Sequence, residues 1–265
     1  MQAASIQLEI KEGESKESRI NHAGNLIDLS VKKANGSSNL DLVLLPELWS
    51  VGFFEFERYK KECENIKGRT FSFLANKAFE YDVYIYGGTI VEKAGSELFN
   101  TALFIGPNGN LLASYRKIHI FSYFGSKEGE YITPGKEIKV VETELANFGL
   151  STCYDLRFPE VYRKEMQKGA EVFLVTSCWS FPRVEDWVAL NQVRASENVS
   201  YLISCNATGN VRGHFHLGHS MIVDPWGIPL ASSGHKEKII LANINLDEVN
   251  SAREQFPALN DITLI

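Results

Sequence analysis

The chain has 265 residues, a formal charge of -6 and a hydrophobic share of 44%, enough for one large domain or two small ones around a buried core. It carries no basic stripe of the kind nucleic acid requires, and no apolar run nears the roughly 18–20 residues that cross a bilayer. The start, MQAASIQLEIKEGES, lacks the basic end and apolar core of a signal peptide, and the cysteines at 63, 153, 178 and 205 form neither a CxxC pair nor a disulfide framework. A reduced, cytoplasmic protein is expected, with no nucleic-acid or membrane partner.

In chain order, SIQLEI alternates as a strand does. Residues 15–35 carry Ile20, Ala23, Ile27, Val31 and Ala34 at spacings of three and four and run to Gly36, which predicts an amphipathic helix. DLVLLPE (41–47) is apolar without alternation, a strand covered on both faces. RTFSFLANKAFEYD (69–82) reads as helix, VYIYGGTIVEK (83–93) and LFNTALFIG (98–106) as strands, and PNGN turns the chain into LLASYRK. VVETELANFGL (140–150) reads as one strand. STCYDLRFPE (151–160) follows, and PEVYRKEMQKG reads as one helix, with Pro159 early, Glu160 beside it and Gly169 as a stop.

Cys153 thus sits where a strand hands over to a helix, close to unpaired N–H groups that favour a thiolate. Beyond it lie a strand (171–177), a helix (184–198), a strand (200–206), and then strands GHSMIVD, IPLASS and KIILANINL before a short helix and tail. So many strands, with helices to cover them, call for two sheets packed face to face. The prediction is a single α/β domain over 1–265, a four-layer α-β-β-α sandwich.

Three charged residues stand where strand patterns stop. Glu47 ends LVLLPE and is either a fold-holding ion pair or a functional group. Lys117 closes LLASYRK; alone it would read as a solvated residue. Glu128 is a loop carboxylate in SKEGEYITPG that alone means nothing. Taken together, a thiol, a carboxylate and an ammonium at successive strand ends suit attack on a carbon–nitrogen bond through an acyl-enzyme. Cys153 would be the nucleophile, and Glu47 would take its proton and return it to departing ammonia. Lys117, with the N–H of Tyr154, would hold the oxyanion, and the same ammonium would help to ionise the thiol.

LLPELW, YRKIHIF and STCYDLRFPE resemble, in order and spacing, the Glu, Lys and Cys motifs of the nitrilase superfamily of carbon–nitrogen hydrolases. The likeness runs on through CWSFPRVEDW, QVRASENVSYLISCN and GHSMIVDPWG. It implies the nitrilase-type sandwich with two mixed sheets, and Glu47, Lys117 and Cys153 as catalytic residues. Glu128 would then be a second glutamate that positions substrate and water.

Tyr154, Trp179 and Arg183 are the expected substrate-binding residues, with Arg183 either anchoring a substrate carboxylate or forming a surface ion pair. The KIHIF, CYDLRFPE and DPWG signatures look most like the omega-amidase-like branch, whose substrates are small dicarboxylic monoamides such as 2-oxoglutaramate. An N-carbamoyl amino acid amidohydrolase, an amidase of deaminated glutathione, a nitrilase with the same trio, and a non-catalytic binding protein stay open. The resemblance also implies a homodimer through the helices around 158–168 and 184–198 and the tail from about 255 to 265.

Other features weigh less. HFHLGH (214–219) would put His214 and His216 on one face if extended, but nothing completes a metal site, and no metal or cofactor is expected. Cys178 and Cys205 read as packing residues, and Cys63 is uninformative. Arg157 and Glu160 are expected to brace the elbow by ion pairing. Asp186 stands where relatives often carry His. The cleft is expected from loops 49–66, 119–135 and 178–187.

Overall fold

Alternation of side chains along the central strands decides how the layers stack. The computed structural model describes residues 1–34 and 39–263. Sheet one orders β14 (Lys238–Asn243), β1 (Gln2–Gln7), β2 (Leu42–Leu44), β3 (Tyr84–Ala94), β4 (Glu97–Ile105) and β5 (Leu111–Arg116). Sheet two orders β13 (Pro229–Ser232), β12 (Met221–Val223), β9 (Tyr201–Asn206), β8 (Val172–Ser177), β7 (Asn147–Thr152) and β6 (Lys139–Glu142). Both are mixed: β1–β2–β3 and β7–β8–β9 run parallel, and the flanking pairs are antiparallel.

In β2, Leu42 and Leu44 point between the sheets, while Val43 and the following Leu45 point outward. In β8, Val172 and Leu174 point inward, and Phe173 and Val175 outward. The inner residues of both sheets form one core, with Tyr86, Phe104, Phe148 and Ile203. Helices α1 (Lys16–Ala34) and α3 (Arg69–Tyr81) cover sheet one, and α5 (Pro159–Gln167) and α6 (Val184–Ser196) cover sheet two. This is the four-layer α-β-β-α sandwich that the element pattern predicts. Two one-turn helices, α2 (Tyr59–Glu62) and α4 (Glu128–Tyr131), and the terminal α7 (Asp247–Gln255) complete the α-helices among the described residues. None of these is long and apolar enough to cross a membrane.

Several elements depart from expectation. VVETELANFGL is a hairpin, β6 against β7 with Lys139 opposite Leu150, because the Thr143 hydroxyl receives the N–H groups of Leu145 and Ala146 and closes a turn. β1 is buried on every residue, since it lies inside the sheet with α1 on one face and sheet two on the other. Glu128 begins α4 instead of lying in a loop. The 207–217 stretch makes a hairpin of its own, β10 (Thr208–Val211) with β11 (His214–Leu217). The predicted helix stop at Gly36 lies outside the described residues.

β3 is not continuous. Its pairing with β4 shifts between Tyr86 and Thr89, leaving Gly87 and Gly88 as a bulge. Gly88 has φ +66°, and a Cβ there would stand 1.9 Å from the Pro46 carbonyl oxygen. The bulge also receives the next loop: Leu48 N–H donates to Thr89 Oγ1 at 2.8 Å and Trp49 Nε1 to Gly87 O at 2.9 Å. Local backbone choice in β3 thus holds the loop that leaves Glu47.

Candidate active site

β2, β7 and β8 all end on one rim, where sites gather in open parallel sheets. Glu47 follows β2, Cys153 follows β7, and Ser177 ends β8. Lys117 follows β5, its own N–H held by Asn100 O at 2.9 Å. Glu47, Lys117 and Glu128 are each fully buried at 0% exposure, so each charge needs a partner.

The partners are one another. Lys117 Nζ stands 2.8 Å from Glu47 Oε1 and 3.0 and 2.9 Å from the two oxygens of Glu128. Asn100 Nδ2 donates to Glu47 Oε1 and Glu128 Oε1, both at 2.8 Å. The second oxygen of Glu47 receives the Cys178 N–H at 2.9 Å, and that of Glu128 the Phe121 N–H at 2.8 Å. Burial works against the Lys117 charge, but Glu128 and Glu47 outweigh it and hold its pKa well above that of an ordinary lysine. Burial raises the Glu128 pKa against the pull of Lys117, and Glu47 adds to the rise.

Cys153 begins a short 3₁₀ helix, Cys153–Arg157, with φ +50°, a conformation that non-glycine residues keep only when held. The expectation of a favoured thiolate does not hold at rest. Burial first, and Glu47 next, push the thiol up to about 12, although Lys117, Ser177 and the Cys178 amide pull it down. Two structural facts lie behind the difference: α5 starts only at Pro159, and the thiol is 6% exposed. The thiol is therefore neutral at rest and needs a base, and Glu47 is the carboxylate whose charge it feels most.

A narrow cleft over Cys153 is lined by Phe53, Phe54, Phe121, Tyr154, Cys178, Trp179, Ser180 and Arg183, drawn from all three expected loops and the elbow. Its volume of about 10 Å³ is that of a single water-sized sphere, so the cleft is tight over the thiol. A larger hollow of about 460 Å³ lies near Arg116 and Lys136. No cysteine lines it, and Glu92 already neutralises its Arg116 with contacts of 2.8 and 2.9 Å.

Among the described residues Arg183 pairs with no carboxylate. Its Nη2 donates to Ser180 Oγ at 2.9 Å, and its guanidinium lies 5.0 Å from the Phe121 and Phe124 ring centres. Trp179 Nε1, buried, has no hydrogen-bond partner among the described residues.

Two expectations need correction. Arg157 pairs with Asp186 at 2.6 Å, not with Glu160, which faces solvent on the first turn of α5. The aspartate therefore fastens α6 to the elbow from the mouth of the cleft. Cys178 is more than packing, since its amide orients Glu47 and its thiol donates to the Glu47 carbonyl at 2.9 Å. Asn100 joins the cluster unexpectedly, and its one signal in the sequence is a polar residue inside the apolar run LFNTALFIG. His214 and His216 do share a face, both stacked on Phe54. Among the described residues no group of three or more His, Cys, Asp or Glu could hold a metal.

A family model described as carbon-nitrogen hydrolase matches residues 2–254. The chain belongs to the carbon–nitrogen hydrolase family. A 2-oxoglutaramate amidase of Paenarthrobacter nicotinovorans is 36% identical over 98% of this chain and 89% of its own length. An omega-amidase of Danio rerio is 31% identical over 86% of this chain and 84% of its own. The crystal structure of Nit3 from Saccharomyces cerevisiae, a nitrilase superfamily member, superposes with a TM-score of 0.87 at 28% identity, covering 97% of this chain and 94% of that one. These likenesses put the carbon–nitrogen hydrolase in the omega-amidase-like branch of the nitrilase superfamily.

Proposed function

We propose that this hydrolase cleaves the terminal amide of a small carboxylate-bearing substrate of the 2-oxoglutaramate type, through a thioester on Cys153. One observation carries the reading. The same cleft holds a buried thiol beside a Glu–Lys–Glu cluster and a guanidinium that no carboxylate among the described residues occupies. Glu47 takes the thiol proton as sulfur attacks the amide carbon. Lys117 and the Tyr154 N–H hold the oxyanion, and the tetrahedral intermediate expels ammonia with the proton from Glu47. Water, positioned by Glu128 and deprotonated by Glu47, then hydrolyses the thioester. The sum is amide plus water to acid plus ammonia.

Arg183 anchors the free carboxylate, Trp179 Nε1 supplies a further donor, and Tyr154 walls the site. Because Arg183 and Cys153 line one small cleft, the carboxylate and the amide of the substrate are separated by a short chain.

The test is ammonia release by the wild type, Cys153→Ala and Arg183→Met. The panel is 2-oxoglutaramate, an N-carbamoyl amino acid, deaminated glutathione, a simple nitrile and an amide without carboxylate. Turnover of 2-oxoglutaramate should vanish in Cys153→Ala. A charged hydrogen bond contributes roughly 1.5–3 kcal/mol, so Arg183→Met should raise its KM roughly ten- to hundredfold and leave the plain amide unaffected. Release from only the carbamoyl compound would replace the substrate and keep the mechanism. Undiminished activity in Cys153→Ala would end the reading.

We also propose a single-domain, cytoplasmic homodimer. Four unpaired cysteines suit a reducing compartment. Exposed Val193 on α6 and exposed Trp226 lie close together, joined by the bond from Gln192 Nε2 to Gly227 O at 2.9 Å, and Phe256 exposes a further apolar ring at the start of the tail. Sedimentation of the wild type as a monomer at micromolar concentration would refute the dimer.

A further inference from the structure

The elbow has an anchor that the reaction as written does not use. Asp155 is fully buried, and its carboxylate makes four hydrogen bonds. Oδ2 receives Tyr115 Oη at 2.7 Å and the Thr152 N–H at 3.1 Å. Oδ1 receives the backbone N–H of His119 at 2.9 Å and its ring Nδ1 at 2.7 Å. Tyr115 and His119 flank Lys117 at equal distance along the chain, and Thr152 and Asp155 bracket Cys153. One carboxylate thus ties the end of β5, in sheet one, to the turn after β7, in sheet two.

We propose that Asp155 and His119 are positioning residues that set the spacing between the Lys117 ammonium and the Cys153 thiol. The inference rests on the reading of those two groups as oxyanion holder and nucleophile. Two backbone N–H groups and the Tyr115 hydroxyl donate to this one side chain, which a carboxylate accommodates by accepting and an amide, with an NH₂ in place of one oxygen, does not. Opposite such an acceptor, the His119 ring is placed to donate through Nδ1. The ring is held flat on Phe158, with centres 3.6 Å apart and planes within 8°, and Phe158 meets the Tyr154 ring edge-on at 5.2 Å. The contact of Asp155 with the Thr152 N–H also spans Cys153 and braces the turn in which that residue holds its left-handed conformation. Loosening this clamp displaces a reacting group without removing one, so it acts on turnover and spares substrate binding.

The experiment compares kcat and KM on 2-oxoglutaramate for Tyr115→Phe, His119→Phe, His119→Asn and Asp155→Asn, with Cys153→Ala as control and thermal unfolding to verify the fold. His119→Phe keeps the stack on Phe158 and loses the N–H; His119→Asn does the reverse, placing an amide N–H near the former Nδ1. A misplacement of about 1 Å costs up to about 100-fold, so folded Tyr115→Phe and His119→Phe should lose about tenfold or more in kcat with KM within about threefold. His119→Asn should recover most of that loss.

Asp155→Asn should lose more. If it does not fold, the two His119 variants and Tyr115→Phe decide. Folded Tyr115→Phe and His119→Phe with undiminished kcat would overturn the clamp, as would His119→Asn no better than His119→Phe, or a loss confined to KM. Those results beside an inactive Cys153→Ala would fail the clamp alone. A fully active Cys153→Ala would fail the reading beneath it.

Discussion

Lys117→Met is the most informative change to the buried cluster, because it removes a charge and keeps most of the side chain's reach. In the wild type one ammonium serves two carboxylates, all three at 0% exposure, and Asn100 is the remaining side-chain donor to the pair among the described residues. Removing one partner of a buried ion pair costs about 3–5 kcal/mol. In a chain of this size each kcal/mol lowers the melting point by about 2–4 °C, so a fall of roughly 6–20 °C is expected near neutral pH.

The sign of the pH dependence follows from Glu128. Burial and Glu47 already raise its folded-state pKa, and loss of Lys117 raises it further. A carboxyl raised in the folded state weakens folding above that pKa, and the penalty fades as pH falls through it. The deficit of Lys117→Met against wild type should therefore be largest at about pH 8 and shrink toward about pH 5. A second change, Glu128→Gln, which takes one unpaired charge out of the core, should recover about 1 kcal/mol or more. Urea unfolding of the three proteins at both pH values makes the measurement. A Lys117→Met protein within about 1 kcal/mol of wild type at the higher pH, or a double variant no more stable than the single, would refute the account of the cluster.

Two further expectations concern the neighbours of Glu47. Gly88→Ala should destabilise by about 2–5 kcal/mol, from about 1–2 for a left-handed residue and about 1–3 for overpacking against Pro46, and should lower kcat as Glu47 shifts; denaturant melts showing under about 1 kcal/mol would contradict this. Because burial and Glu47 raise the thiol, alkylation of Cys153 by iodoacetamide should climb with pH to about 10 without a plateau. Glu47→Gln should quicken alkylation at about pH 9 while abolishing amide hydrolysis; a wild-type plateau between about pH 7 and 8 would contradict the neutral resting thiol.

Much of this site is legible along the chain because its charged groups stand where apolar periodicity stops. Glu47, Lys117 and Cys153 each close a strand, and a strand end is visible in one dimension. Their ionisation is not. The thiol reads as a thiolate beside a helix start, yet its depth in the core reverses the balance, and depth depends on side chains from both sheets. Asn100 and Asp155 escape for a related reason. Each is one polar residue in a local pattern with another explanation, a strand interior and a turn, and their partners lie far along the sequence. The hairpin at 139–152 was hidden by β-prone residues on both sides of a turn without Gly or Pro. Thr143 closes that turn with its side chain, a signal easily absorbed into a strand.

Glu47, Asn100 and Lys117 come from sheet one, and Cys153, Ser177 and the Cys178 amide from sheet two. Neither half of the chain contains a competent set of groups, so activity reports that the two sheets have docked in register. A chain cut in the exposed stretch near Lys136 would yield two inert fragments, and returning ammonia release would time their reassembly. The enzyme thus carries its own folding sensor, read out by turnover.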